Sequence, residues 1–316
     1  VTAPLRVANV SGFYGDRHSA MREMLDGGEV DVLTGDYLAE LTMLILGRQR
    51  QEDPSAGWAR SFLSQLEECL GTALERGVRI VSNAGGLHPQ GLADAVTALG
   101  QRLGLPVRVA TVSGDDLLPR LGALRGRLRG GDRPPGDRDV DDALTANAYL
   151  GCRGIVRALE AGADVVVTGR VTDASLVVGP AAWHHGWGRD DWATADLDAL
   201  AGATVAGHVL ECGAQATGGN FSFFTELLDA DPAALDRAGF PLAEIAADGT
   251  SVITKHPGTG GAVTVETVTE QLLYELTGSR YGGPDVVTRF DTLRLRPDGP
   301  DRVEVSGARA CRPVAS

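Results

Sequence analysis

Short runs of β-branched and aliphatic residues recur along the chain, and each gives way to a cluster of Gly, Ser, Thr, Asn or Asp before helical periodicity begins. Residues 5–10 run into Ser11-Gly12-Phe13-Tyr14-Gly15-Asp16-Arg17, and 30–33 into Thr34-Gly35-Asp36. Residues 78–81 lead to Ser82-Asn83-Ala84-Gly85-Gly86, and 107–112 to Ser113-Gly114-Asp115-Asp116. Apolar runs this short, followed by turn residues and then a helix, mark strands buried on both faces of a parallel sheet. Leu38, Leu41 and Ile45 place one helix between Asp36 and Arg50, and Leu92, Val96 and Leu99 place another after the Gly85-Gly86 turn.

The same rhythm fills the second half. It predicts a helix over about 147–161, then a strand over 164–167 turning at Thr168-Gly169-Arg170-Val171-Thr172-Asp173. A helix near 197–212 opens into a glycine-rich stretch ending at Asn220. A strand over 251–253 ends in Thr254-Lys255-His256-Pro257-Gly258-Thr259-Gly260-Gly261, and a helix follows over about 265–276. Residues 125–142 mix charges with Gly and Pro and lack apolar period, which predicts a mobile loop or lid. Residues 292–296 and 302–306, joined by Pro297-Asp298-Gly299, read as a β-hairpin. The expected fold is α/β: a mostly parallel sheet with helices on both faces, in Rossmann-like layers. Residues 1–280 form its core, and 281–316 form a hairpin tail that can open a further region.

Composition narrows the function classes. A chain of 316 residues buries a core without staples. Its four cysteines, Cys69, Cys152, Cys212 and Cys311, form no Cys-x-x-Cys pair, which argues against a zinc ribbon or a disulfide framework and for a reducing cytoplasm. No secretory leader is visible, and no apolar run approaches the roughly 20 residues of a spanning helix, so a membrane partner is not expected. A net charge of −13 disfavours nucleic acid but still allows a locally positive site for a small anion. Lys255 is the only lysine, among arginines everywhere else, which singles it out as a site that needs a compact ammonium.

In open α/β sheets ligands bind beyond the carboxyl ends of the strands. Any one of these loops is ordinary turn chemistry, with Ser, Thr or Asp capping the next helix. Together they bring Asp16, Asp36, Asn83, Gly85, Gly86, Asp115, Arg170, Asp173 and Lys255 to one rim, more polar groups than capping requires. Asp36, Asp173, Lys255 and His256 are candidate catalytic residues, with Asp36 or Asp173 as acid–base group and Lys255 or Arg170 stabilising developing negative charge. Lys255 and the loop Gly258, Thr259 and Gly260 are expected to cradle an anion, although neither a phosphate-binding Gly-Lys-Ser/Thr ending nor a Gly-x-Gly-x-x-Gly fingerprint is present. Glu211, Gln215 and Asn220 are candidate substrate contacts. His208, Glu211 and Cys212 have the spacing of metal ligands on a helix, but without His-Glu-x-x-His or paired cysteines no metal is expected. His184-His185, between Trp183 and Trp187, reads as a structural cluster. Gly-x-Ser-x-Gly is absent, and Cys212 is a weak candidate nucleophile.

Six motifs taken together resemble the acyclic terpene utilisation AtuA family over nearly the whole chain. They are 11–17, 33–40, 82–86, 168–175, Glu211-Cys212-Gly213-Ala214-Gln215 and 255–261. The resemblance implies a role in handling citronellol- and geraniol-like compounds, whose intermediates are carried as coenzyme A thioesters. It also implies a small ferredoxin-like partner or a further region, and the Arg-biased composition suits a secondary-metabolism setting. The expectation is a cytoplasmic, homo-oligomeric lyase or hydratase acting on a branched hydroxyacyl or enoyl acid, with coenzyme A as part of the substrate. The alternatives are a non-catalytic acyl-ligand-binding subunit and a Cys-dependent acyl transferase.

Overall fold

The computed structural model describes residues 2–127, 140–188, 196–274, 276 and 278–311. Its centre is a nine-stranded sheet. Five strands run parallel: β1 (Leu5–Asn9), β2 (Val32–Gly35), β3 (Arg79–Ser82), β4 (Val109–Val112) and β5 (Val165–Thr168), in the spatial order β1-β2-β3-β5-β4. Four antiparallel strands extend the sheet beyond β1: β6 (Pro241–Ile245), β7 (Ser251–Lys255) and the hairpin of β10 (Arg294–Pro297) and β11 (Arg302–Ser306). The fold is therefore α/β with a mostly parallel core, as the apolar rhythm predicts.

Alternation along each strand feeds two cores. In β2, Val32 faces one and Leu33 the other, and Val81 and Ile80 divide the same way in β3. Helices Ala20–Asp26, Arg60–Glu75 and Pro89–Leu103 cover one face through Met21, Phe62, Leu66, Leu92 and Val96. Helices Arg153–Glu160, Ser175–His185 and Leu197–Leu210 cover the other through Ile155, Leu176, Leu200 and Val209. The Leu197–Leu210 helix is buried from Ala199 onward, because a second sheet of β8 (Arg280–Gly282), β9 (Val287–Arg289) and β12 (Arg309–Cys311) lies over it. Its glycines let other neighbours approach closely. A Cβ on Gly207 would sit 2.7 Å from the Ala174 carbonyl oxygen. Among the described residues no helix is long and apolar enough to cross a membrane.

Several local expectations need correction. The first helix starts at Glu40, not after Asp36, because side chains take the intervening N–H groups: Asp36 accepts from Leu38 N and Asn83 from Tyr37 N. Its buried residues include Met43 and Leu46, whereas Leu41 is 67% exposed. The helix expected over 147–161 begins at Arg153, since Asn147 and Leu150 make β-bridges to Asp116 and Val171. The hairpin forms, and β11 pairs with β7, so the hairpin extends the main sheet while β9 and β12 of the same tail lie in the second sheet. Of the loop expected over 125–142, residues 128–139 lie outside the described residues, and Arg125–Arg127 form a 3-10 turn.

Candidate active site

At the carboxyl edge, loops after β1, β2 and β5 meet the end of the Leu197–Leu210 helix around a crevice of about 370 Å³. Asp36, Arg170, Asp173, Glu211 and Cys212 line it, with Gly12, Glu40, Tyr149, Tyr274 and Tyr281 among its walls. Gly12 is required by close approach, because a Cβ there would fall 2.4 Å from the carbonyl carbon of Cys212.

Asp36 directly follows β2 and is 5% exposed. Its Oδ1 accepts from Leu38 N at 3.0 Å and from Asn83 Nδ2 at 2.6 Å. Asn83 ends its own strand register one residue past β3, and its Oδ1 accepts from Tyr37 N at 2.8 Å, which fixes the amide so that its donor faces the carboxylate. Burial pushes the Asp36 pKa up to about 6. The Asn83 and Leu38 hydrogen bonds oppose this, Glu211 adds like-charge repulsion, and Arg170 pulls down weakly.

Arg170 stands two residues past β5. Its backbone N–H donates to Asp115 Oδ2 at 2.8 Å, and that carboxylate also accepts from Asn147 Nδ2 at 2.9 Å. The guanidinium, 5% exposed, donates through Nη1 to the Leu38 carbonyl at 2.7 Å and through Nη2 to the Tyr149 hydroxyl at 3.0 Å. It lies 3.4 Å from Asp173 Oδ1 and 4.5 Å above the Tyr149 ring. Burial acts against its charge, but Asp173, the Tyr149 hydroxyl and Asp36 outweigh that and raise its pKa. Glu211 Oε1 is 3.0 Å from His208 Nδ1, and the imidazole packs on Tyr281 and Phe290. The result is a half-enclosed chamber with four carboxylates, Asp36, Glu40, Asp173 and Glu211, around one fixed cation. One of those carboxylates exchanges its proton near neutrality, as acid–base catalysis requires.

Of the residues expected at the rim, Asp36, Arg170, Asp173 and Glu211 converge on the crevice. Asn83 and Asp115 stand behind them as supports. Gly85 and Gly86 serve packing: Cβ atoms there would meet the Thr168 and Gly57 carbonyl oxygens at 2.4 and 2.8 Å. Asp16 closes its own loop by accepting from Gly12 N and Arg17 N. Gln215 is exposed on a 3-10 turn, and neither it nor Asn220 lines the crevice.

The Lys255 loop is corrected. The lysine side chain is 3% exposed and its Nζ is held by Asp301 Oδ2 and the Thr259 carbonyl, both at 2.9 Å. His256 is buried with Nε2 3.0 Å from the Met24 carbonyl, and its ring packs against Gly27; burial lowers its pKa. Gly258 is exposed, and Thr259 bonds back to the His256 carbonyl. The N–H groups of Gly260, Gly261, Ala262 and Val263 are taken by Arg237, Ala234, Thr217 and Asp301. With Lys255 paired to Asp301 and these four N–H groups taken, the loop makes internal bonds and does not line the crevice. The lone lysine survives because a compact ammonium fits this nook.

Sequence reasoning missed Glu40, Tyr149, Tyr274 and Tyr281. The three tyrosines come from segments whose placement depends on tertiary packing and carry no local motif, whereas Glu40 ends the 33–40 motif and was passed over there. His185 stacks on Trp187 and bonds the Ile245 carbonyl, a structural cluster as expected. Among the described residues no three His, Cys, Asp or Glu side chains are grouped to hold a metal ion.

No curated protein and no solved structure matches the chain. The model of the acyclic terpene utilisation family protein AtuA matches residues 5–315, spanning all twelve strands and every crevice residue. The chain belongs to the acyclic terpene utilisation AtuA family.

Proposed function

We propose that the chain is a lyase or hydratase that uses acid–base chemistry on a branched hydroxyacyl or enoyl acid, or on its coenzyme A thioester. One observation carries this reading: Asp36 is a buried carboxyl whose pKa is raised to about 6 in a crevice that also holds Arg170 and Asp173. In hydration, the Asp36 carboxylate takes a proton from water as the water oxygen bonds to the β carbon. The electron pair of the double bond moves toward the carbonyl, where the permanent charge of Arg170 stabilises it. Asp36, now carrying that proton, delivers it to the α carbon, Asp173 holds the Arg170 guanidinium in place, and dehydration runs the same steps backward. The small anion expected as ligand is the carboxylate of this substrate or, in a thioester, the enolate oxygen that forms during the reaction.

The test is a 3-methyl-branched enoyl thioester incubated in heavy water, read by loss of enoyl absorbance and by deuterium at the α carbon. Asp36→Asn should abolish both while retaining binding. No exchange with any enoyl or hydroxyacyl compound, alone or with a small partner protein added, would remove the reading. Cys212 supports a second reading, acyl transfer, because it lines the same crevice half-buried. That reading requires an acyl adduct on Cys212 by mass spectrometry.

A further inference from the structure

The crevice does not end at Arg170. Glu40, Tyr149 and Arg170 also line a neighbouring crevice of about 190 Å³, together with Met43, Thr145 and Asn147. Thr145 in turn lines a third, of about 260 Å³, whose walls include Leu87, Leu118 and Leu144. The three follow one another along the seam between the Glu40–Glu52 helix and residues 143–149. Their linings differ: charged groups dominate the first, while Met43, Leu87, Leu118 and Leu144 supply side walls of the others.

Of the three side chains that line both the first and the second, Glu40, Arg170 and Tyr149, only Tyr149 is aromatic. Tyr149 is 48% exposed, with its hydroxyl 3.2 Å from Glu40 Oε1 and 3.0 Å from Arg170 Nη2, and its ring beneath the guanidinium. Its backbone neighbours are pinned, Ala148 N to Asp115 O and Leu150 N to Arg170 O, so the side chain is the movable part. The far part of the seam is kept narrow by Gly47, where a Cβ would fall 2.8 Å from Leu144 Cγ.

We infer that Tyr149 is the partition between the reacting chamber and a separate subsite for the aliphatic chain of the same ligand, running past Met43 to Leu144. Tyr149 then determines chain-length specificity. This rests on the acyl reading above, and it adds where the chain goes and which side chain admits it. A short acyl group fits the polar chamber with Tyr149 in place. A longer one gains burial only when the tyrosine ring leaves the seam, breaking its bonds to Glu40 and Arg170.

The experiment is calorimetric titration with hexanoyl-, octanoyl- and decanoyl-coenzyme A. Wild type should show little gain with length. Tyr149→Ala should bind the longer thioesters more tightly relative to hexanoyl, by about tenfold for each pair of methylenes that gains burial. Tyr149→Phe, which keeps the ring and drops both hydroxyl bonds, should fall between. Adding Leu144→Trp to Tyr149→Ala should cancel the decanoyl gain alone. A length profile identical in wild type and Tyr149→Ala, or a gain that survives Leu144→Trp, overturns the partition and leaves the acyl reading standing. Proteins that are folded by circular dichroism but bind none of the thioesters overturn the acyl reading and the subsite with it.

Discussion

Two aspartates at opposite ends of the parallel strands show how one residue type is made structural or reactive. Asp164 lies just before β5, at the amino edge. Arg108 reaches it with Nε at 3.1 Å, Nη2 at 2.9 Å and its backbone N–H at 2.9 Å, and Arg79 bonds it as well. Burial works against its charge, but these bonds and both cations outweigh it and hold the carboxyl below its usual range. Asp36, at the carboxyl edge, receives only neutral donors, and its neighbouring arginine turns Nη1 and Nη2 to Leu38, Tyr149 and Asp173 instead. Asp164 has two nearby cations and Asp36 one, and the way they bond differs as well. A guanidinium bonded directly to a carboxylate locks it ionised, while one bonded past it leaves burial and Glu211 to raise its pKa.

The largest expected effect comes from removing the reactive carboxylate. Asp36→Asn should lower turnover of the enoyl or hydroxyacyl substrate by at least about a hundredfold, measured as kcat with KM little changed. The same variant should be more stable than wild type at pH 8, by an amount on the order of 3 kcal/mol from a shift of about two pKa units. Its amide oxygen still accepts the Leu38 and Asn83 hydrogen bonds, and the cost of burying an ionised carboxylate is gone. The sign follows from proton binding. The folded protein holds the Asp36 proton more tightly than the unfolded chain does, so stability from this group falls as pH rises from about 4 to about 6 and is level above. Urea midpoints across that window should slope in wild type and flatten in Asp36→Asn. For catalysis the base form is needed, so kcat/KM should rise with pH through about 6.

At the other edge the sign reverses. Asp164→Asn should destabilise the protein by about 2 kcal/mol in urea unfolding, reduced from the fully buried case because Arg108 is 62% exposed, and leave kcat unchanged. Arg170→Met should move the kcat/KM rise to higher pH, since the one cation that pulls Asp36 down is lost. The smallest effect is expected at Lys255→Met: stability lower by about 1 kcal/mol through the lost Asp301 contact, with activity unaltered. An activity loss there in a folded protein would return the lysine to the site.

The sequence carries the sheet well because strands buried on both faces must be continuously apolar, as in Val165, Val166 and Val167, and each ends at a turn residue. It also carries Asp36, Arg170 and Asp173, because residues at carboxyl ends of parallel strands face a common edge whatever the helices do. It does not carry Tyr149 or Tyr281, which reach the crevice from a bridge and from the small second sheet. Nor does it separate Lys255 from Arg170. Both sit at strand ends beside glycine-bearing turns, and only tertiary partners decide that one cation is spent on Asp301 and the other faces the crevice. The helix ahead of Arg50 shows the same limit on a smaller scale: Leu41 fits the period but faces outward, because the first turn is set by Asp36 and Asn83 capturing N–H groups.

The most direct measurement is the carboxyl carbon titration of Asp36 and Asp164 by nuclear magnetic resonance, assigned with the two asparagine variants. Asp36 should titrate with a midpoint near 6 and Asp164 below the ordinary aspartate value. An Asp36 midpoint at or below that ordinary value would mean that Arg170 locks it as Arg108 locks Asp164, and the carboxyl edge would lose its acid–base group.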